Sequence, residues 1–443
     1  MLERKAMDRF RFWKEHKSKQ ALLVTGARQV GKSYLIKKFA EESYQTVVYF
    51  DLVEDRTAVR SFSEAENAQD LLFRISVLSG QPLQAGQTVV VFDEVQECPE
   101  LVTSIKFLAD QGDYDYILSG SLLGVALQNV RSIPVGYLTE VHMYPLDFEE
   151  FCWASGLPKE SFDRLRECAE GATPVPDYLH ERLLALFRRY LIVGGMPDAV
   201  SAYLKDNALD QVRIVQNDIS RLYREDLSKY APKDRALVVR NIYDLIPSEL
   251  LKENRRFRLG SIEGVKRYST VQDEFLWLVD AGVALAETNV SAPTSPLLMN
   301  EKRGMFKLFM CDVGLLTGSY VRQTAQDILD DTRTVNLGGI YENFVAQELR
   351  SKGFELWYYS DSGRRVGELD AVVERADGTS LVFEVKSGGG YRTHVALDKA
   401  LATWPDARMK AFVLSNGNVE ADAAVTYLPV YMVGLFSPDD ASL

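Results

Sequence analysis

Residues 26–33 read GARQVGKS, a G-x-x-x-x-G-K-[ST] pattern set between the apolar run ALLVT and KSYLIKKFAEES, whose apolar residues recur at helical spacing. No other feature constrains the fold as strongly. A glycine-rich loop joining a buried strand to a helix calls for a mostly parallel sheet whose C-terminal edge is open to a ligand. Loop N–H groups and the N-terminus of the next helix then form a phosphate cradle. Lys32 is placed to contact β- and γ-phosphates and the Ser33 hydroxyl to complete a Mg²⁺ shell, so ATP with Mg²⁺ is the expected ligand. Gly26, Arg28 and Gly31 join them as candidate nucleotide contacts, with a solvent-facing side chain as the alternative for Arg28.

Apolar runs alternate with amphipathic helices to about residue 155, the pattern of an α/β domain. Strands are expected at 46–52, 88–95 and 114–121, with a fifth within 136–146. The run VVVFDEV (89–95) ends in paired acids. A buried strand there delivers Asp93 to the sheet edge near Mg²⁺ and leaves Glu94 to orient and deprotonate an attacking water, which points to hydrolysis. Ser119 and Ser121 end the following strand, and Ser119 is the candidate for sensing a γ-phosphate, against the plain-turn reading of Ser-Gly-Ser. No spacing singles out an arginine finger among Arg131, Arg188 and Arg189.

The pattern changes after Phe151. Residues 156–178 carry Pro158, Pro174 and Pro176 and are expected to be irregular, and 179–239 to be helical around the turn GGMP (194–197). Gly195-Met196-Pro197 has the form of a lid turn in which Pro197 touches adenine, or is only a rigid turn. Short helices followed by VALAETNV, between 241 and 289, fit a winged helix. Its basic cluster of Lys252, Arg255, Arg256, Arg258, Lys266 and Arg267 suits either a nucleic-acid backbone or an internal face. The expected organisation is a P-loop domain at 1–155, a helical lid and winged-helix region at 156–297, and an α/β domain at 298–443.

In that last segment, GELDAVVERADGTSLVFEVKSGG (367–389) reads as a hairpin that brings Asp370 to the edge shared by Glu384 and Lys386, which lie two residues apart on one face. Two carboxylates suit Mg²⁺ or Mn²⁺ and the lysine suits a phosphate or a water, the arrangement for metal-assisted phosphodiester cleavage. Glu342, on the helix 338–353, is a candidate third carboxylate, and Arg364 and Arg365 are candidate phosphate contacts. A charged, exposed hairpin is the plainer alternative.

The net charge of −12 argues against a chain that coats nucleic acid through its whole surface, yet leaves room for a local basic groove. Cys98, Cys152, Cys168 and Cys311 show neither zinc spacing nor a disulfide framework. With a charged N-terminus and no apolar run long enough to span a bilayer, a cytoplasmic protein is expected.

These residues resemble a widespread bacterial and archaeal family that joins an AAA-type P-loop ATPase domain to a C-terminal domain of largely uncharacterised function. GARQVGKS, VVVFDEVQ, ILSGS, MYPLDFEEF, YLIVGGMPDAV, KLFMCDVGLL, YENFVAQEL and the ELD…EVKSG passage carry the resemblance over nearly the whole chain. The last of these is similar to the PD-(D/E)XK nuclease superfamily, with Asp370, Glu384 and Lys386 at the motif positions and Glu342 as the helical acid. The resemblance implies ATP hydrolysis at Lys32, Ser33, Asp93 and Glu94 and a restriction-endonuclease-like C-terminal fold. Relatives often carry Gly-Arg where this chain reads Gly136-Tyr137, so no nucleotide-sensing arginine is expected there. Two functions compete: an ATPase coupled to DNA binding or processing, and an ATP/ADP-operated switch that engages a protein partner through a degenerate nuclease-like domain. Either is compatible with an oligomer.

Overall fold

The computed structural model describes residues 2–121, 136–231, 235–262, 264–265, 267–331, 337–361, 366–422 and 424–440. Arg131, Lys266, Arg364 and Arg365 lie outside the described residues. The chain forms two compact units, Arg4–Tyr144 with Asp280–Gly282, and Pro145–Val279 and Val283–Leu443 with Met1–Glu3.

The first unit is built on a five-stranded sheet, β1 (Ala21–Thr25), β2 (Thr46–Asp51), β3 (Thr88–Asp93), β4 (Asp115–Ser119) and β5 (Leu138–His142), in the order β2-β3-β4-β1-β5. Every pairing is parallel, as the sequence pattern requires. Strand β3 (TVVVFD) is buried at every position, and its β-branched run suits a central strand covered on both faces. The helices are α1 (Ala6–His16), α2 (Lys32–Ser43), α3 (Arg56–Ser63), α4 (Ala68–Ser79) and α5 (Pro99–Gln111). Side-chain oxygens of Asp55 and Asn67 cap α3 and α4, and Pro99 opens α5 where its missing N–H costs nothing. The rings of Phe50, Phe62 and Phe92 meet at 5.1–5.9 Å in the core over one sheet face. Helix α1 buries Met7, Phe10 and Trp13, every third residue, and Phe10 packs on Phe39 of α2.

In the second unit α6 (Phe148–Ala154), α7 (Glu160–Glu170), α8 (Asp177–Val193), α9 (Pro197–Asp206), α10 (Leu209–Tyr230), α11 (Ala236–Leu250) and α12 (Gln272–Asp280) precede and lead into an eight-stranded sheet. Its strands are β6 (Ala284–Val290), β7 (Glu301–Met310), β8 (Trp357–Ser360), β9 (Glu368–Glu374), β10 (Ser380–Val385), β11 (Met409–Ser415), β12 (Glu420–Ala421) and β13 (Val425–Pro429), in the order β12-β13-β11-β10-β9-β8-β6-β7. Helices α13 (Val313–Gly318), α14 (Arg322–Leu329), α15 (Gly338–Ser351) and α16 (Val395–Thr403) connect them. Strands β8, β9 and β10 form an antiparallel meander, and the crossover through α16 returns β11 parallel to β10. Rings of Phe148, Phe187, Tyr190 and Phe344 interlock α6, α8 and α15. Among the described residues no helix is long and apolar enough to cross a membrane.

Three expectations change here. The stretch 156–178 contains α7, because its prolines flank the helix while Phe162, Leu165, Cys168 and Ala169 form a buried stripe at helical spacing. Among the described residues between Leu251 and Val271 the helical elements are two single 3₁₀ turns, so α12 is the one α-helix described there after α11 in the segment expected to be a winged helix. The run VALAETNV pairs antiparallel with β7 and parallel with β8, which makes it a strand of the large sheet, and the boundary expected between 297 and 298 falls between two hydrogen-bonded strands.

Gly314, the second residue of α13, lies directly against the backbone of residues 193–194. A Cβ there would lie 2.4 Å from the Val193 carbonyl oxygen and 2.5 Å from the Gly194 nitrogen. Gly314→Ala should therefore destabilise the protein by about 1–3 kcal/mol through overpacking. A Cβ added at Gly260 would meet no atom within 4 Å, and Gly260→Ala should shift stability by less than about 0.5 kcal/mol. Denaturant midpoints for the two variants check the contrast.

Candidate functional site

The P-loop runs from the end of β1 to the start of α2. Gly26 has φ +134°, and a Cβ on it would sit 2.2 Å from the Met143 carbonyl oxygen, so the loop's first position demands glycine on both counts. Gly31 enters α2 in the left-handed region. The Arg4 guanidinium, nearly buried, donates to the Val30 carbonyl within the loop at 2.9 Å and to Tyr144 at 2.6 Å. The Lys32 ammonium lies under the loop and donates to the carbonyls of Gly26 (3.0 Å) and Ala27 (2.8 Å). Burial lowers its pKa to about 8, against the opposing pull of Glu94 and Asp93.

Asp93 ends β3 almost fully buried. Three donors address it: the hydroxyls of Ser119 at the end of β4 and Tyr49 on β2, and the backbone N–H of Glu94 at 3.1 Å. Burial followed by Asp93 pushes the pKa of the Tyr49 hydroxyl well up. Glu94 takes a left-handed conformation (φ 55°, ψ 50°), uncommon for a residue with a side chain. Its carboxylate accepts from the Ser121 hydroxyl at 3.0 Å and from Gln96. The structure thus brings Lys32, Ser33, Asp93, Glu94 and Ser119 into one neighbourhood, with Ser119 seated on Asp93 rather than in a free turn.

The expected lid turn is built into the second unit. The Gly195 N–H donates to Asp312 at 2.6 Å, its carbonyl accepts from Leu146 N–H at 2.7 Å, and Pro197 is the first residue of α9. Burial lifts the Asp312 pKa to about 6. Arg188 is paired with Asp331 at 2.9 Å, and Arg189 reaches the Ala185 carbonyl one turn back.

The C-terminal hairpin places Asp370 one residue beyond the Phe383–Ala371 pair of β9 and β10, where it accepts from the Val385 N–H at 2.7 Å. Glu384 and Lys386 share a face and form an ion pair at 2.7 Å. Burial and then Asp370 raise the pKa of Glu384, whose other oxygen is buried without a hydrogen-bond partner. Glu342, the candidate third carboxylate, has two cationic partners. It is bound by Lys307 at 3.0 Å and by Arg255, and burial lifts its pKa to about 7 despite Lys307. Lys307, fully buried on β7, also meets Glu368 at 3.1 Å, Glu287 at 3.8 Å and the Asp370 carbonyl at 3.3 Å. Burial alone would strip its proton, but Glu342, Glu368, Glu287 and Asp370 together hold the ammonium well above its ordinary pKa. Among the described residues no three His, Cys, Asp or Glu side chains gather as a metal-holding group. Part of the basic cluster is likewise turned inward: Lys252 pairs with Glu249, Arg255 with Glu342, and Arg256 with Ser360 and Glu368.

Residues 18–152 match the family model of an AAA domain. The first unit accordingly has the fold of an AAA-type P-loop ATPase. Residues 184–326 and 337–431 match two domains of unknown function (DUF8612 and DUF4143). No curated protein matches the chain. Similar solved structures include a Walker-type ATPase of Pyrococcus abyssi, at 15% identity and TM-score 0.44, covering 72% of this chain and 96% of that one. The Orc1 protein of Aeropyrum pernix, solved in complex with DNA, aligns at 12% identity and TM-score 0.26 over 75% and 93% of the two chains. The RuvB Holliday junction branch migration motor of Thermotoga maritima aligns at 14% and 0.27 over 64% and 89%. At these scores the likenesses carry no functional argument.

In the first unit, sequence reading misses Arg4 and Tyr49, because nothing local to either marks a partner 26 or 44 residues away. In the second unit it misses Lys307 and Asp312. A lysine inside the apolar strand KLFM is the one signal that points to the first of these.

Replacing Lys307 by methionine would leave the buried Glu342 and Glu287 and the partly buried Glu368 without their common cation. Lys307→Met should lower stability by about 3–5 kcal/mol. Lys386→Ala, which breaks a pair whose lysine is 31% exposed, should cost at most about 1 kcal/mol. Urea unfolding midpoints of the two variants would show whether the buried cation is the one that matters.

Proposed function

We propose that this protein binds ATP with Mg²⁺ at the P-loop and hydrolyses it. The observation that carries the reading is the convergence of Lys32, the hydrogen bonds of Tyr49 and Ser119 to Asp93, and Glu94 at the C-terminal edge of one parallel sheet. The residues fit the ligand. Loop and helix N–H groups receive phosphate oxygens, and Lys32 exchanges its two carbonyl partners for them. Ser33 and Asp93 would hold Mg²⁺, which would supply screening of the phosphate charge. Glu94, held by Ser121 and Gln96, orients the attacking water and takes its proton. Ser119 and Tyr49 hold the Asp93 carboxylate in place.

For the second unit the reading is that ATP turnover is coupled to nucleic-acid binding or processing, with Asp370, Glu384 and Lys386 as the residues facing a phosphodiester. A specific observation favours the alternative, a nucleotide-operated switch that engages a protein partner. Glu342 is committed to Lys307 and Arg255, so the helical acid that would complete a metal site is already neutralised by protein cations.

Steady-state ATPase assays test the first reading. Lys32→Ala should abolish ATP binding, whereas Glu94→Gln should keep it and lower turnover by about 100-fold or more. Wild-type turnover retained in Glu94→Gln would remove Glu94 from the mechanism. Supercoiled DNA incubated with Mn²⁺ separates the two couplings. Nicking lost in Glu384→Gln and Lys386→Ala supports processing, while absent nicking with an ATPase rate indifferent to DNA supports the switch.

A further inference from the structure

We propose that Arg4 is a positioning residue of the nucleotide site, a clasp that fixes the second half of the P-loop so that its Gly31 N–H faces the phosphates. The role deepens the ATP·Mg²⁺ reading of the loop and rests on it. The loop motif starts at Gly26 and does not include this residue. Arg4 is 9% exposed, and its guanidinium spans two backbone carbonyls, that of Val30 at 2.9 Å and that of Tyr144 at 2.6 Å. Val30 is the loop residue before Gly31, and Tyr144 lies two residues beyond β5. The other end of the loop meets the same segment. The Met143 N–H donates to the Thr25 carbonyl at 2.9 Å, the Thr25 hydroxyl donates to Glu140 at 2.7 Å, and Gly26 lies too close to the Met143 carbonyl for any Cβ. Residues 140–144 therefore back the loop at both ends, and Arg4 makes the tie at the second.

The direction of that tie is what bears on the ligand. The Val30–Gly31 peptide is trans, and across a trans peptide the carbonyl and the next N–H point opposite ways. A Val30 carbonyl held by Arg4 turns the Gly31 N–H away from Arg4, at the residue that leads into α2 with φ 91°. Phosphate oxygens are received at such a helix start. Lys32 holds the first half of the loop through the carbonyls of Gly26 and Ala27, but it is the cation that moves to phosphate when nucleotide binds. Arg4 holds backbone alone in these two bonds and can stay. It is itself set by α1, which starts two residues on and packs Phe10 and Trp13 against Phe39 of α2 at 5.5 and 6.4 Å. A loop shaped before the ligand arrives needs less ordering on binding, so the tie should appear in affinity for the phosphate chain.

The test is displacement of a fluorescent ADP analogue from the full chain, with Mg²⁺ present, by ADP and by inorganic pyrophosphate. Wild type, Arg4→Met, Arg4→Lys and the core variant Ile105→Val are compared. Arg4→Met keeps the stem and removes every donor. It should weaken ADP and pyrophosphate by the same factor of about ten, the scale of a hydrogen bond to a charged group. Arg4→Lys keeps the charge without the planar fork and should lose about threefold on both, the scale of one ordinary hydrogen bond. It decides the matter should Arg4→Met not fold. Pyrophosphate binding unchanged in the Arg4 variants would overturn the proposal, and so would an equal loss in Ile105→Val, which only loosens the core. A wild type that binds neither ligand would overturn the nucleotide reading and this role with it.

Discussion

A buried carboxylate is tolerated only when hydrogen-bond donors replace the water it has lost, and Asp93 is the place where this constraint organises the P-loop unit. Its three donors come from β4, from β2 and from its own chain neighbour. Meeting that demand fixes the order of the central strands, because Ser119 and Tyr49 must flank β3. It also explains why polar residues close strands that are otherwise wholly apolar. Loop and lysine follow the same rule. The Lys32 ammonium, deprived of solvent, takes the carbonyls of Gly26 and Ala27, and the tight approach of Gly26 to Met143 leaves those carbonyls where the ammonium can reach them.

The second unit solves a similar problem with opposite means. Its buried acids are balanced by cations of the same chain, with Lys307 at the centre and Arg255 and Arg256 beside it. Burial drives the pKa of Glu287 well up, so the network settles with fewer charges than it has ionisable groups. Such a network is costly to break and gives its elements a unique arrangement, since β6, β7, β9 and α15 each contribute one side chain to it. Asp370 lies on its border, where its carbonyl accepts from Lys307.

What could be read in the sequence is what is written locally. GARQVGKS, the apolar run before Asp93 and the hairpin bearing Asp370 and Glu384 carry their geometry in consecutive residues, and the structure forms the corresponding strands and turns. Helix α7 was hidden because prolines on both sides read as breakers, although its own apolar spacing is helical. The strand at 284–290 was legible as a strand but not as part of the large sheet, because its partners begin at 301 and 357. Tyr49, Lys307 and Arg255 acquire meaning only through partners brought across strands, a relation that no local pattern records. The cationic neighbours of Glu342 are invisible for the same reason, since Arg255 and Lys307 lie far from it in sequence.

The central claim is that the P-loop is a nucleotide site whose lysine is stored on the loop's own carbonyls. A crystal structure of the protein with Mg²⁺ and a non-hydrolysable ATP analogue tests it most directly. The account predicts phosphates at the N-terminus of α2, the Lys32 ammonium moved from the carbonyls of Gly26 and Ala27 onto phosphate oxygens, and the Ser33 hydroxyl on the metal. Analogue absent from the loop at saturating concentration, with Lys32 still on those carbonyls, would contradict it.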